Sequence, residues 1–528
     1  MPEDNEFKRG LYHCPVKCGN FLLGAVVALC LVATTTGPAS AAAPQPVVEG
    51  NQIVDSVTGQ RFVPRGVNFP SFEYACQQGW GYSNLGADEA SPSATAAETA
   101  AAMAAWKINT VRIPLNQDCW LGDDGLPLTD TTRKGFGISL TSIGYRVAVI
   151  EFVEALNAQG IVAVPDLHWS SPDGIVSDGL RVMADNRSDD FWSSVAASFK
   201  SHPSVIFDMF NEPHSRWSDA GGKWAFQLSW ECWKSGGCQG PVENDKSPVP
   251  AQISSTFTTL GMKDLVAAVR ATGAKQPIIL GGRDYANDLG GWLSHRPADD
   301  QLIAGFHNYV DQNCDNPTCW STEIAPVATV VPVITGEFGQ KTCAVDSASH
   351  MSSYMRWADN RSIGYLAWAW WPAANGDCSN FAMLSNQDGT PNAPVGTAFR
   401  DHLLYVNSHP TTGTPDDPGP DPDPAGPDPG GKSKRRDAGL MIVNTRFRHG
   451  MLTFKVKSRS KATGGVKVKV FVRSDRGVTR SETSETKLRS GSAVFGFRVR
   501  SDYRPTRIVA RYPGTQKFKA DSAVRRVR

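Results

Sequence analysis

The chain has 528 residues and a formal net charge of +1, with 41% hydrophobic and 20% charged residues. A chain of this length is too long to fold around a single ordinary hydrophobic core, so two or more domains are expected. The near-neutral total hides an uneven distribution, because residues 432–528 hold 27 Lys+Arg against 6 Asp+Glu, a net charge of +21. The remainder holds 26 basic and 46 acidic residues, which excludes a uniformly basic protein and indicates two oppositely charged parts.

Residues 1–42 have the pattern of a secretory signal peptide. Basic residues precede the apolar run 21–33, and Ala39-Ser-Ala41 matches a cleavage site. The apolar run is short for a membrane span, so an uncleaved anchor is the weaker alternative. No other stretch is long and apolar enough to cross a bilayer. We therefore predict a secreted, extracellular protein without a membrane span after cleavage, and the cell wall is a further candidate location.

Short apolar runs alternate with segments of helical spacing over about 350 residues, a typical span for a (β/α)₈ TIM barrel with insertions. Helical spacing is clearest in residues 94–106 and 142–157. In this fold the carboxyl ends of the strands face the active site. The eight predicted strands are 62–67, 108–113, 161–167, 205–210, 277–280, 302–306, 331–335 and 364–368.

Two of these runs end close to a glutamate. The segment 204–213 reads SVIFDMFNEP and contains Glu212, and the segment 332–339 reads PVITGEFG and contains Glu337. Glycoside hydrolysis needs two such carboxylates on one face, a proton donor and a nucleophile, about 5–5.5 Å apart if configuration is retained. The alternative, two ordinary loop residues, is weakened by the Asn-Glu-Pro and Gly-Glu-Phe contexts.

Asn211-Glu212-Pro213, with Glu337 closing a later strand, resembles the retaining glycoside hydrolases of clan A, specifically glycoside hydrolase family 5, the cellulase family. The resemblance covers residues 50–405. Further motifs agree in the family's order: Arg65-Gly-Val-Asn68, Asn109-Thr-Val-Arg112, Asp166-Leu-His168-Trp169, His307-Asn-Tyr309 and Trp368-Ala-Trp370.

The resemblance implies that Glu212 is the general acid and base and that Glu337 is the nucleophile. The pKa of Glu212 should be raised by apolar surroundings and a second carboxylate, whereas Glu337 must stay ionised. Arg112 is expected to pair with Glu337, and Tyr309 could donate a hydrogen bond to the same carboxylate. Asn211 is expected to hydrogen-bond the sugar 2-hydroxyl.

The remaining site candidates are two histidines and a set of tryptophans. His168 and His307 would bind sugar hydroxyls or support the acid, the alternative being a structural role. Trp368 or Trp370 would form the sugar platform, because strand alternation points both the same way and the resemblance favours Trp368. Core packing is the alternative for any single tryptophan. The other candidates are Trp80, Trp120, Trp169, Trp217 and Trp371. The mechanism implies no cofactor and no metal.

Eight of the eleven cysteines lie beyond the predicted signal peptide, an even number that indicates disulfides in a secreted chain. A metal site is the alternative, but the spacings do not suggest one. Two pairs are close in sequence, and two join segments that follow strands whose ends should cluster at one barrel face. The predicted pairs are Cys232–Cys238, Cys314–Cys319, Cys76–Cys119 and Cys343–Cys378.

The composition of the chain changes twice after residue 409. Residues 410–432 form a linker of Pro, Asp and Gly that cannot seed a core. Residues 433–528 alternate apolar and basic residues, which predicts a small antiparallel sandwich, and its ending resembles bacterial immunoglobulin-like repeat domains. Its charge suggests contact with anionic cell-envelope polymers or simply a solvated surface. It contains no tryptophan, which disfavours cellulose binding, and nucleic acid is improbable for an exported protein.

Taken together, the sequence predicts a signal peptide (1–42), a catalytic barrel (43–409), a linker (410–432) and a basic immunoglobulin-like module (433–528). The expected activity is that of a retaining endo-β-1,4-glucanase acting on a polysaccharide. The same mechanism on β-mannan, β-1,3-glucan or a glycolipid is an alternative, and a non-catalytic carbohydrate-binding or adhesive wall protein is another. Neither the sugar nor endo action is determined by any single residue.

Overall fold

The structure, a computed structural model, describes a defined set of residues within the chain. Every structural feature below lies within this set. The predicted signal peptide, apart from residue 42, and the whole predicted linker lie outside it. The described residues are 42–73, 77, 95–122, 142–218, 221–246, 255–310, 312–341, 347–373, 381–409, 440–448, 451–459, 461, 464–474, 479–488, 491–499, 503–512 and 521–527.

Eight parallel strands form a closed barrel in which each strand pairs with the next and the eighth pairs with the first. The predicted (β/α)₈ barrel is therefore confirmed. In chain order the strands are β1 (Arg65–Asn68), β2 (Thr110–Asn116), β3 (Val162–Trp169), β4 (Phe207–Asp208), β5 (Ile278–Gly281), β6 (Leu302–Tyr309), β7 (Val333–Gly339) and β8 (Gly364–Ala367).

Helices occupy the connections outside the barrel. The first begins at a capping box, in which the Thr95 hydroxyl accepts from the Glu98 backbone and the Glu98 carboxylate accepts from the Thr95 backbone. None of the described helices combines the length and apolar character needed to span a membrane. The helices are Ala96–Ala105, Gln117–Leu121, Ser142–Ala158, Ser188–Phe199, Trp230–Ser235, Met262–Ala271, Arg283–Ala286, Trp292–His295, Pro317–Cys319, the π-helix Trp320–Ile324, Ala325–Ala328, Ser347–Asp359 and Val395–Ser408.

Three short antiparallel pairs supplement the barrel: Pro46–Glu49 with Gln52–Asp55, Arg216–Ser218 with Lys223–Phe226, and Gln239–Pro241 with Thr256–Thr258. The first of these, the N-terminal hairpin, packs against the barrel interior. Ile53 of the hairpin and Phe62 join a buried apolar layer inside the barrel. The other residues of this layer lie in the barrel strands or next to them and are mainly β-branched: Val162, Val164, Ile206, Ile279, Ile303, Ile334 and Leu366. One end of the barrel interior is thus packed largely with hydrocarbon.

Gly66 shows why the motif in β1 needs a glycine. A Cβ at this position would lie 1.7 Å from the backbone oxygen of Thr110 on β2. No rotamer can relieve a clash with backbone, so any larger residue would push β1 and β2 apart.

Asp359 links three elements on the outside of the barrel. Its carboxylate accepts from Arg65 at 2.8 Å, from the Tyr365 hydroxyl at 3.1 Å and from His402 at 2.7 Å. Burial acts to raise the pKa of Asp359, but His402 and Arg65 outweigh burial and hold it below its usual range. The final barrel helix, Val395–Ser408, is thereby tied to β1 and β8.

We expect Asp359→Ala to lower the free energy of unfolding by about 3 kcal/mol, because it leaves Arg65 and His402 partly buried without their partner. A lowered pKa in the folded state gives stability that is present above the unfolded pKa and lost as pH falls through the folded one. The difference from wild type in urea unfolding should therefore shrink below about pH 4. Asp401→Ala, at an exposed surface pair with Arg400, is the control and should change stability by less than about 0.5 kcal/mol. An Asp359 variant as stable as this control would contradict the argument.

Two of the predicted disulfides are present, Cys232–Cys238 and Cys314–Cys319. Cys119 is also disulfide-bonded. Cys76, Cys343 and Cys378 lie outside the described residues, so the pairings predicted for them stay predictions.

The C-terminal part is all-β, as predicted. Strands β9 (Leu440–Arg448), β10 (Met451–Ser458) and β13 (Ser492–Arg498) form one antiparallel sheet in the order β9-β10-β13. A second antiparallel sheet has the order β12-β11-β14-β15, where β11 is Gly464–Ser474, β12 is Thr479–Leu488, β14 is Tyr503–Tyr512 and β15 is Asp521–Arg526.

These two sheets share one apolar core, to which alternate residues of their strands contribute. In β10, Leu452, Phe454 and Val456 are buried, whereas Lys457 is exposed. Val468 of the second sheet belongs to the same core. The alternation of apolar and basic residues therefore separates an inner from an outer face, and the immunoglobulin-like assignment stays a prediction.

Candidate active site

Arg112 on β2 is the centre of a buried charge cluster. It is fully buried, and its guanidinium lies 2.8 Å from Asp208, 2.8 Å from Glu337 and 3.0 Å from Asp166. These partners come from β3, β4 and β7, so four strands converge on one side chain. Three carboxyl groups therefore share one buried cation.

Burial raises the pKa of Asp166 and that of Asp208 to about 7 each, and Arg112 acts in the opposite direction. Two amides complete the surroundings of the guanidinium. It donates to Oδ1 of Asn68 at 3.0 Å and to Oδ1 of Asn211 at 2.8 Å. Asn211, predicted to bind a sugar hydroxyl, thus has its oxygen fixed by Arg112, and the residue lines the cleft described below.

Glu337 is held from two sides. Arg112 donates to its Oε1, and the Tyr309 hydroxyl donates to its Oε2 at 2.7 Å. These are the two contacts that the sequence led us to expect. Together they fix the orientation of the carboxylate.

His307 lies between the two glutamates. Its Nδ1 is 2.9 Å from Oε1 of Glu212 and 3.7 Å from Oε2 of Glu337. One carboxylate oxygen of each glutamate and one ring nitrogen of His307 lie within 4.8 Å of one another. Burial lowers the pKa of His307 to about 4, so the ring is neutral at pH 7. The short separation suits a retaining pair rather than an inverting pair, which needs about 6.5–9.5 Å.

Glu212 follows β4 and is surrounded by groups that disfavour its ionised form. Burial raises its pKa to about 8, Arg112 opposes this rise, and the carboxylates of Asp245 and Asp166 add to it. At neutral pH this carboxyl is therefore protonated, as a proton donor must be.

His168 and Trp368 form one wall of the site. His168 is hydrogen-bonded to Asp166 at 2.8 Å, and its ring stacks on Trp368 with centroids 5.4 Å apart and planes 9° apart. Burial lowers the pKa of His168 to about 3. The ring is therefore neutral, and Asp166 links it to the Arg112 cluster.

Trp370 does not lie in the site, contrary to prediction. It is 3% exposed and packs edge-to-face on Trp106, with ring centroids 4.9 Å apart. The prediction extended strand alternation through this segment, but β8 ends at Ala367. Trp368 and Trp370 are therefore not related by the two-residue period of a strand, and only Trp368 lines the cleft.

The other candidate tryptophans have diverse positions. Trp120 is fully buried in the core, and Trp169 is 8% exposed with the Lys246 ammonium 3.9 Å from its ring centre. Trp217 packs edge-to-face on Trp224, at 5.3 Å, in the hairpin beyond Glu212. Trp371 is partly exposed. Trp80 lies outside the described residues.

These groups open into a cleft of about 480 Å³. Its predicted members are His168, Asn211, Glu212, Tyr309, Glu337 and Trp368, and its other members are Leu180, Asp245, Tyr285, Gln312 and Phe381. Sequence reasoning missed the second group because these residues lie on loops or, for Tyr285, on a one-turn helical segment, and none belongs to a motif. Asp166 and Asp208 were also not recognised as site residues, although a lone acid inside an apolar strand was an available signal.

A closed (β/α)₈ barrel with two adjacent carboxyl groups at the carboxyl ends of its strands defines a barrel glycoside hydrolase. The family model "Cellulase (glycosyl hydrolase family 5)" matches residues 65–374, more than half of the chain. The chain belongs to this family.

Solved structures resemble the chain at low sequence identity. A β-glucanase from Saccharophagus degradans is 17% identical with a TM-score of 0.48, and the match covers 70% of this chain and 95% of that one. An endocellulase from Pyrococcus horikoshii, solved with cellotetraose, is 14% identical with a TM-score of 0.46, covering 69% and 100%. The Thermobifida fusca endoglucanase catalytic domain is 16% identical with a TM-score of 0.44, covering 68% and 97%. No curated protein matches the chain in a sequence comparison.

Proposed function

We propose that this protein is a secreted endo-β-1,4-glucanase that retains configuration at the cleaved bond. The observation that carries the proposal is the separation of Glu212 and Glu337, whose nearest described oxygens lie within 4.8 Å with His307 beside both. Membership of the cellulase family supports a β-1,4-glucan as substrate.

In the first step Glu337 attacks the anomeric carbon while Glu212 gives its proton to the leaving oxygen. The glycosidic C–O bond breaks, and a covalent bond forms between the sugar and Glu337. In the second step Glu212, now ionised, takes a proton from water, whose oxygen attacks the anomeric carbon and releases Glu337. The raised pKa of Glu212 suits the first step, and the contacts of Arg112 and Tyr309 hold the Glu337 carboxylate in position for its attack.

The pH dependence of kcat/KM should report the Glu212 carboxyl. Because its folded pKa is raised to about 8 and the protonated form is the active one, kcat/KM should fall as pH rises through about 8. Asp245→Asn removes a nearby negative charge and should move this alkaline limb to lower pH. A wild-type limb below about pH 6 would contradict the assignment of the acid.

The substrate is tested by reducing-sugar release from carboxymethylcellulose, β-mannan and laminarin. We expect carboxymethylcellulose to be cleaved fastest, with a rapid fall in its viscosity because internal bonds are cut. Preference for either other polymer would keep the mechanism and change the substrate. Binding without turnover of any polymer would favour the non-catalytic alternative.

We further propose that residues 43–409 form the enzyme, that 410–432 is a linker and that 433–528 is a basic immunoglobulin-like module. The separate apolar cores of the barrel and of the C-terminal sheets support this division. The net charge of +21 in residues 432–528 fits binding to anionic envelope polymers.

Ending the chain at residue 409 should leave kcat/KM on soluble oligosaccharides unchanged within about twofold, because the proposed catalytic residues precede this point. The separate module should bind anionic envelope polymer at low salt. It should release the polymer at 1 M salt, where the electrostatic screening length falls to about 3 Å. Loss of activity on truncation would contradict the division. Cellulose binding that survives high salt would replace the electrostatic account.

A further inference from the structure

Three consecutive residues beyond β5 have left-handed backbone conformations. The φ angles are 58° for Asp284, 60° for Tyr285 and 56° for Ala286. None is glycine, so each side chain meets the steric cost of this region of the backbone map. Such a run persists only when its surroundings hold it, and it commonly marks a site where a side chain has to be aimed.

The surrounding contacts fix this left-handed turn from several directions. The Tyr285 backbone N–H donates to the Pro213 carbonyl at 3.1 Å, and Asn313 donates to Asp284 at 2.7 Å. Asn287, directly after the turn, donates to the His307 carbonyl at 2.7 Å. The turn is therefore tied to the segment that carries Glu212 and to the strand that carries His307.

The side chain aimed by this turn is a half-buried tyrosine that lines the cleft. One face of the Tyr285 ring stacks on His214, with centroids 4.2 Å apart and planes 10° apart. His214 is fully buried, and its Nδ1 is 2.7 Å from the backbone oxygen of Glu212. The Tyr285 hydroxyl is hydrogen-bonded to Arg216, so the surface that Tyr285 can offer a ligand is the other face of its ring.

The contacts also indicate which part of the substrate meets this ring. Trp368 and His168 stand on the Glu337 side of the cleft, since His168 stacks on Trp368 and Glu337 is the glutamate whose charge acts on His168, whereas Glu212 is the glutamate whose charge acts on Tyr285. Tyr285 instead joins the cleft through His214 and the segment after Glu212. In a double displacement the proton donor faces the leaving group, and the nucleophile faces the sugar that stays bound.

We propose that Tyr285 binds the leaving-group sugar, stacking its free ring face on the pyranose directly beyond the cleaved bond. This inference rests on the proposed glycosidase function and deepens it. A stacked leaving-group sugar places the scissile oxygen beside Glu212. Tyr285 would then contribute to the step that releases the sugar. It would have no effect on kcat/KM when the leaving group is not a sugar.

The test compares two substrates that differ only in the leaving group, cellotetraose and β-cellobiosyl fluoride. We expect Tyr285→Ala to lower kcat/KM on cellotetraose by about 10-fold or more, the factor that 1.4 kcal/mol of lost binding gives. On β-cellobiosyl fluoride, kcat/KM of the same variant should stay within about twofold of the wild-type value. Tyr285→Phe should lower kcat/KM on cellotetraose less than Tyr285→Ala does, since phenylalanine keeps the aromatic ring. The control is Tyr405→Ala, an exposed tyrosine on the last barrel helix, which should change neither substrate.

If carboxymethylcellulose is not the preferred polymer, the tetraose and biosyl fluoride of the preferred one take their place. An equal fall in kcat/KM on both substrates would assign Tyr285 a structural role and overturn the inference. Unchanged kcat/KM on both substrates would also overturn it. Tyr285→Leu provides the ratio if the alanine variant does not fold. A wild-type protein that turns over neither substrate would overturn the proposed function itself.

Discussion

Replacing Glu337 with Gln should lower kcat on the preferred glycan by on the order of 10⁵-fold or more, the scale seen when a covalent nucleophile is removed. The amide has nearly the same shape, so it cannot form the glycosyl-enzyme bond but can still occupy the space beside Arg112 and Tyr309. We therefore expect cooperative unfolding and circular dichroism close to those of wild type. Glu151→Gln, on the exposed face of helix Ser142–Ala158, is the matched control and should retain full activity.

A 2-fluoro glycoside with a good leaving group should label Glu337 in the wild-type protein, identified by mass spectrometry of the peptides. Glu212→Ala should differ from Glu337→Gln in kind. It should still turn over substrates with good leaving groups, and azide should rescue it by forming a β-glycosyl azide. A label on any other residue would refute the assignment of the nucleophile.

Replacing Arg112 with Met should destabilise the barrel by about 3–5 kcal/mol, because three carboxylates would remain buried without their cation. Activity should also be lost, since Glu337 would lose the partner of its Oε1. The measurement is urea unfolding of the variant against wild type. Arg400→Met, at a surface pair with Asp401, should change stability by less than about 0.5 kcal/mol.

The pH dependence of this effect has a definite sign. Burial already raises the folded pKa of Asp166 and Asp208 to about 7, and removing Arg112 takes away what opposes that rise. A raised carboxyl pKa means that the folded state binds more protons, so stability falls as pH rises from the unfolded pKa toward the folded one. The Arg112→Met variant should be weakest above pH 7 and recover toward about pH 4. A defect that grows on acidification would contradict this account.

The sequence predicts the barrel and its acidic pair because both depend on local patterns. Buried parallel strands are continuous apolar runs in the sequence. A run that stops at Glu337 therefore predicts both the end of a strand and a residue of the active site. The pattern is less exact about length, since the apolar run 205–210 contains only the two-residue strand Phe207–Asp208. Hydrophobicity continues where strand pairing does not, because residues outside the barrel also pack into the core.

Other parts of the site could not be predicted, for two reasons. Tyr285, Asp245 and Phe381 reach the cleft from three separate segments of the chain, and nothing in their sequence spacing indicates that they lie close together. The prediction for Trp370 was wrong for the opposite reason, because the two-residue alternation of a strand was applied beyond the end of β8. Asp208 was within reach, since an acid in an apolar strand must find a cation, and Arg112 was the candidate already named.

The N-terminal hairpin gives the order of synthesis a physical consequence. Ile53 leaves the ribosome early, yet the apolar layer it joins includes Ile303, Ile334 and Leu366, which are made some 250 residues or more later. The hairpin has no complete docking site until β8 exists, and contacts this distant in sequence form late because a long loop must close first. The hairpin precedes every barrel strand in the chain, yet we expect it to be among the last parts of the catalytic domain to be secured.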